Sequence, residues 1–540
     1  MSLLLMIALL LPLLGVVLIG GGMRRSRIVA LAFALATFAV AAVLAACSPR
    51  GGEPFAVTDW AWFGDAATLD IRWSVGLDGL SLWLFALTSL LMVVAVLVSW
   101  ESIREQTTLY YRLLLVLETG MLGVFVARDI ILFYVFFEFT LIPLFFVIGI
   151  WGSDQRRRAA MKFFLYTLAG SVLTLLGLLS LVVWTFYHPA SGQTAGRLTF
   201  SIPELTRSLQ ARPMDLNVQL WVFWALFAGF AIKSPLFPLH TWLPLAHVEA
   251  PAAGSVLLAG VLLKVGVYGF ARFSLPMLPE AAWLLMPWLL GIAMVGIIYG
   301  ALVALAQQDL KRLIAYSSVS HMGFCMLGLF AMNPLSVAGG VLQMVNHGLA
   351  TGGLFAVVGM LYERYHTRQM ADLGGLARRM PWLAMFAMVL TLSSIGVPGL
   401  NGFVGEFLIL AGTLQRCWTA ALSGHATYYH AVGVLGVLGV ILGAWYMLNM
   451  YRRVFFGPVR EPEHVEPPVR DLSPREICCF VPLVVLIVWI GVQPGFFLDR
   501  IGMENRGATR GKREVQASFS LGGRDETRIH PSSFDSLMPP

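Results

Sequence analysis

Six ionisable side chains stand inside long apolar runs of this chain. Glu138 lies in ILFYVFFEFTLIPLFF, Lys233 in FAIKSPLFPLHTWLP, Lys264 in LAGVLLKVGVYGF, His321 in YSSVSHMGF, His347 in LQMVNHGLATGG and Glu406 in GVPGLNGFVGEFLIL. Amines, imidazoles and carboxyls are the groups that take up and release protons. Burial disfavours their charged forms, so buried amines and carboxyls are both drawn toward neutrality. Imidazole titrates near pH 6.5 unaided and passes a proton between its two nitrogens. Neighbours follow helical spacing: Gln343, His347 and Thr351 lie at i, i+4 and i+8, Ser317 and His321 one turn apart, and Thr167, Ser171 and Thr174 form a third polar stripe. Tyr134 and Tyr268 stand one turn from Glu138 and Lys264, where packing explains them.

A single lysine–glutamate pair, or one histidine bonded to a carbonyl, serves as structural glue between helices. Glue needs two groups, and six spread over six apolar runs point instead to a proton pathway. Magnitudes allow it. Moving a charge against about 200 mV takes roughly 4.6 kcal/mol. A lysine–carboxylate contact at about 4 Å and an effective dielectric of about 20 supplies roughly 4 kcal/mol. One such lysine–glutamate contact, made and broken, therefore nearly suffices for one proton.

The elements that must position these groups are transmembrane helices. The 540 residues are 58% hydrophobic and 12% charged, with a mean hydropathy of +0.76, against roughly 25% charged in soluble domains. Apolar runs of the length that spans about 30 Å of hydrocarbon recur fourteen times, from 2–21 to 477–498, including 77–99, 129–151, 217–239, 250–274 and 382–414. Backbone exposed to lipid must satisfy its own hydrogen bonds, so the fold class is all-α, a polytopic membrane protein of about 14 helices. Pro235 and Pro238 break the helix of Lys233, because proline removes a donor and clashes with the preceding turn. The freed carbonyls are expected to form a polar nest for the amine. The stretch around Pro398 to Gly402 breaks the helix of Glu406 in the same way. Interrupted helices at matching places suggest a repeat, with a first half near 107–275 and a second near 281–455.

Residues 1–500 read as one membrane domain and 501–540 as a polar, disordered tail. Arg24, Arg25 and Arg27 follow the first run, and RRRAAMK (156–162), DLKR (309–312) and the Arg364–Arg379 and Arg452–Arg475 loops fall on one side. The positive-inside rule makes that side cytoplasmic, with an uncleaved first helix and the N-terminus outside. The net charge of +7 suits anionic lipid and partner surfaces, not nucleic acid. The five cysteines have no metal-ligand spacing, and no Gly-rich phosphate loop is present. No cofactor or metal site is expected in this chain.

KSPLFPLHTWLPLAHVEAPAAGSVLLAGVLLKVGVYGFARF (233–273), DLKRLIAYSSVSHMG (309–323) and GVPGLNGFVGEFLIL (396–410) resemble the antiporter-like membrane subunits of respiratory complex I, over roughly residues 1–500. The resemblance implies two inverted five-helix repeats with discontinuous helices 7 and 12, and a subunit of the bacterial inner membrane. It implies a Glu138–Lys233 pair, Lys264 as a connecting lysine, and His321 and His347 as a central relay. Glu406 falls on the helix-12 carboxylate where sister branches carry lysine, which points to the chain M branch. His240 could join the relay or merely shape a helix end, and Leu245 takes a position that is often polar. The implied function is proton translocation coupled to NADH oxidation and quinone reduction. NADH, flavin, iron–sulfur clusters and quinone then belong to partner subunits, with other membrane-arm chains as neighbours. A subunit of a multi-chain sodium/proton antiporter or of a membrane-bound hydrogenase is the alternative.

Overall fold

Apolar helices too long to be shielded by one another's ends must run side by side, and the computed structural model forms such a bundle. It describes residues 1–64, 68–189, 197–420, 426–462 and 469–502; the expected disordered tail lies almost wholly outside the described residues. In order the elements are α1 Ser2–Leu18, α2 Met23–Ala46, strands β1 Phe55–Phe63 and β2 Leu69–Leu77, α3 Leu82–Val98, α4 Thr107–Val126, α5 Ile130–Phe139, α6 Leu141–Trp151 and α7 Arg156–Tyr187. Next come β3 Leu198–Thr199, α8 Ile202–Ala211, α9 Leu216–Lys233, α10 Trp242–Glu249, α11 Ala252–Leu257, α12 Leu263–Gly269, α13 Leu275–Met277 and α14 Pro279–Leu305. The chain continues with α15 Leu310–Phe330, α16 Pro334–Tyr365, α17 Pro381–Ser394, α18 Asn401–Ala420, α19 Ala426–Phe455, α20 Pro474–Val492 and α21 Gly495–Ile501.

Among the described residues, eleven helical runs are long and apolar enough to span a membrane, and α1, α3 and α17 are shorter apolar helices. The run Ala252–Met277, α15 and α16 are buried almost throughout and form the centre. Small residues let neighbours approach: a Cβ on Gly170 would stand 3.2 Å from the Cα of Gly229, so α7 and α9 pack backbone to backbone.

The breaks at Lys233 and before Glu406 occur as the prolines require, and two more appear. The 129–151 run divides at Thr140, two residues after Glu138. Pro143 cannot donate to the carbonyl four residues back, and the Thr140 hydroxyl donates to the Phe137 carbonyl at 2.8 Å. The 250–274 run contains two π-helical turns, Leu258–Leu262 and Phe270–Ser274, on either side of Lys264. Such turns often accompany functional sites because they release a carbonyl from the α ladder.

Between α2 and α3 the chain is not loop alone. It holds an antiparallel hairpin with Trp60 opposite Trp73, and β3 adds to β2 in parallel. Alternating Val, Trp, Phe and Ile residues suit that pleat. The hairpin is tied to the site-bearing helices. Asp129 caps α5 by accepting from the amides of Ile131 (2.8 Å) and Leu132 (3.2 Å), and also from Arg72 N at 3.1 Å. Asp78, just after β2, accepts two bonds from Arg272 at 2.6 and 2.8 Å. Burial alone would raise the Asp78 carboxyl, but Arg272 and Ser81 outweigh it and hold it at about 2, below its ordinary 3.8. A depressed carboxyl stabilises above its unfolded pKa and loses that contribution as pH falls toward the folded value. Arg272→Met should therefore weaken the hairpin's attachment by about 2 kcal/mol at neutral pH. Amide exchange of the hairpin should show that difference shrinking as pH drops from about 4 to about 2.

Candidate functional site

Lys264 is fully buried at the start of α12. Its ammonium donates to the Ala259 carbonyl, five residues back in the π turn, and meets His347 Nδ1 at 2.7 Å. In its ammonium form Lys264 has no lone pair, so Nδ1 then accepts and the neutral imidazole carries its hydrogen on Nε2. That Nε2 has no partner among the described residues. The rings of His347 and His321 are 5.6 Å apart, centre to centre. His321 Nδ1 stands 3.5 Å from Glu406 Oε1, and its Nε2 shares a hydrogen bond of 3.3 Å with the Ser394 hydroxyl. Glu406 Oε1 also accepts from Gln343 Nε2 at 3.3 Å. Lys264, His347, His321 and Glu406 thus form one buried run of neighbouring groups drawn from four helices. Lys264 Nζ on His347 is a direct hydrogen bond, His321 Nδ1 lies close to Glu406 but has no hydrogen-bond partner among the described residues, and the two histidine rings adjoin.

Lys233 and Glu138 stand apart from that run. Lys233, the last residue of α9, is buried and points its ammonium at the Phe137 ring, 4.5 Å from the centroid, a cation–π contact. Glu138 is half-buried and close enough for its charge to act on Lys233. No ion pair within 4.0 Å joins them among the described residues, so the expected direct contact is here an open one. The broken helix does not offer its carbonyls to the amine either. Phe230 O accepts from Ser234 Oγ at 2.5 Å, Ala231 O from Leu236 N at 2.9 Å, and Ile232 O from the Trp242 indole at 2.9 Å. Other donors have reached them first, and an aromatic face takes the charge instead.

The remaining polar residues divide clearly. The hydroxyls of Thr167, Ser171 and Thr174 donate to carbonyls of their own helix, so that stripe is self-satisfied. Ser317 accepts from the Tyr446 hydroxyl at 3.1 Å. Tyr268 donates to the Phe125 carbonyl and accepts from Arg272, a packing role. Tyr134 neighbours Glu138 and Ser171. His240 sits among the rings of Phe237, Tyr299 and Tyr316.

Several buried polar groups were not singled out by sequence reasoning. Glu118 is fully buried on α4 with neither carboxyl oxygen partnered among the described residues. A carboxyl within an apolar run was the signal that selected Glu138, and it applied equally there. Lys311, read as a loop charge in DLKR, is buried in the first turn of α15 and donates to the Ala250 carbonyl at 2.8 Å. His247 is fully buried, stacked on Phe355 at 4.5 Å, and within electrostatic reach of both Lys264 and Lys311. Asn346, next to His347, and Asn401, at the start of α18, are buried with it. No cluster of three or more His, Cys, Asp or Glu residues suited to a metal occurs among the described residues.

Residues 127–448 match the profile of the NADH:quinone oxidoreductase/Mrp antiporter transmembrane family. NADH-quinone oxidoreductase subunit M of Rhodobacter capsulatus is 42% identical over 482 residues, covering 89% of each chain. The chain belongs to this family. A chain in the structure of respiratory complex I from Thermus thermophilus with bound NADH superposes with a TM-score of 0.79 at 34% identity, over 92% of this chain and 98% of that one. A chain of the Mrp complex from a Dietzia species superposes at 0.75 with 23% identity, over 93% of this chain and 52% of that one. That likeness carries the fold alone. The family match spans all six residues singled out at the start, together with the break before Glu406.

Proposed function

We propose that this chain is a proton-translocating membrane-arm subunit of a respiratory NADH:quinone oxidoreductase, seated in a bacterial plasma membrane beside other antiporter-like chains. Partner subunits hold the nicotinamide, flavin, iron–sulfur and quinone chemistry. The observation that carries the reading is the run Lys264–His347–His321–Glu406. Similarity to subunit M at 42% identity favours this complex over an antiporter.

The geometry suggests an order of events. A proton leaving Lys264 lands on His347 Nδ1, and the hydrogen on Nε2 moves toward His321, which hands it to Glu406 through Nδ1. Each donor is then reset from the group behind it. Lys233 feeds Lys264 when Glu138 moves away and lets its proton go, and the return of Glu138 recaptures one. The two halves, near 107–275 and 281–455, act as repeats, one around Lys233 and one around Glu406.

Replacing His347 with phenylalanine keeps a ring of similar size and removes both nitrogens. In vesicles containing the purified complex, NADH-driven proton uptake through this chain should fall by about 100-fold, the scale of a lost general acid–base group, while the complex still assembles. Unchanged proton uptake would reject the relay.

A further inference from the structure

We propose that Gln343, Asn346 and Asn401 are positioning residues that link the charge of Glu406 to the interruption between α17 and α18; this rests on Glu406 belonging to the relay. The amide of Gln343 donates to Glu406 at 3.3 Å, and its own oxygen accepts from Asn346 Nδ2 at 3.2 Å. The same Asn346 nitrogen donates to the Asn401 carbonyl at 2.8 Å. Asn401 Oδ1 accepts from the Ser393 hydroxyl at 2.5 Å and from Gly402 N at 2.9 Å. Ser393 stands near the end of α17 and Asn401 opens α18. Each member is at least nine-tenths buried, so no solvent substitutes for a broken link.

The string has a direction. A carboxylate can only accept, so ionised Glu406 orients the Gln343 amine toward itself and the Gln343 oxygen toward Asn346. That oxygen holds the Asn346 amine in place to grip the Asn401 carbonyl. When Glu406 takes a proton, it becomes a donor, and the favoured partner is the Gln343 oxygen. Gln343 then turns its amine to Asn346, which must turn its oxygen to meet it and release Asn401. Two buried atoms are ready for the reversed state: Asn346 Oδ1 and Asn401 Nδ2 have no partner among the described residues. An acceptor and a donor left over at one junction are what a reversible chain of amides requires, since buried polar atoms otherwise pair. Loading Glu406 thereby loosens the break, and unloading it tightens the break.

The test uses the whole complex in vesicles, with proton uptake and redox-induced infrared difference spectra as readouts. Glu406→Gln identifies the carboxyl C=O band of Glu406 by its loss. Asn346→Leu should shift that band although Asn346 does not touch Glu406, and should slow proton transfer by up to about tenfold, the scale of one neutral hydrogen bond. Gln343→Leu should do the same, and the double variant should be no slower than either single one. Asn346→Ser, which is smaller and can hold one partner but not two, keeps the band test available if the leucine variant fails to assemble. An unmoved band with normal transfer in the Asn346 variants, or multiplied losses in the double variant, would overturn the string. Normal pumping by Glu406→Gln would instead overturn the relay itself.

Discussion

Lys264→Met is expected to stop proton transfer through this subunit almost completely, by about 100-fold or more, while leaving the complex assembled. Methionine follows the aliphatic stem of lysine and fills the same buried space. What it removes is the ammonium on His347 Nδ1 and on the Ala259 carbonyl. Two acceptors then lose their donor, at a cost of about 1–3 kcal/mol each, which a bundle this extensively packed can absorb. Without that group, His347 has no proton to accept on Nδ1, and the run to Glu406 is cut at its first member. Lys264→Arg keeps a permanent charge that does not release its proton, so it should assemble equally well and pump no better. Comparing NADH oxidation with vesicle acidification separates lost coupling from lost assembly. Pumping at the normal ratio in Lys264→Met would sink the proposed role.

The second large effect concerns Lys233 and Glu138. Lys233→Ala should cut proton transfer as severely as Lys264→Met. Glu138→Ala should cut it by at least about tenfold, because it removes the group that changes the affinity of Lys233 for its proton. The size of the available push depends on how far the pair closes. For scale, bringing any two opposite charges from about 8 Å to about 4 Å at an effective dielectric of about 20 gains roughly 2 kcal/mol. That is less than half of what one charge needs against about 200 mV. A closing Glu138–Lys233 pair therefore drives part of the step, and the remainder has to come from partner subunits or from breaking the Lys233–Phe137 contact. Drawing the carboxylate back toward its own helix by shortening, as Glu138→Asp, should weaken coupling without abolishing it. Undiminished pumping in both alanine variants would exclude the pair from the pathway.

Much of the fold was legible because helices in lipid obey a simple constraint. Apolar length predicts spans, and the prolines at 235, 238 and 398 predict breaks. Breaks at Thr140 and the π turns beside Lys264 were not legible. Pro143 is a sufficient reason for the first in hindsight, but a proline near a helix start is often tolerated. A π turn has no local sequence signature; it appears where packing demands one extra residue in a turn.

Sequence alone determined that ionisable groups would be buried in this bundle, since Glu138, Lys233, Lys264, His321, His347 and Glu406 have no route out of their apolar helices. It also determined that Gln343 and His347 share one face, because spacing along a helix is a local property. Only the tertiary structure decided which groups meet. Lys264 and His347 lie 83 residues apart and Gln343 and Glu406 lie 63 apart. Contacts at such separations depend on the depth and rotation of one helix against another, which steric packing of many side chains selects. The same packing left Lys233 facing Phe137 rather than Glu138, and brought Asn346 to the mouth of a broken helix.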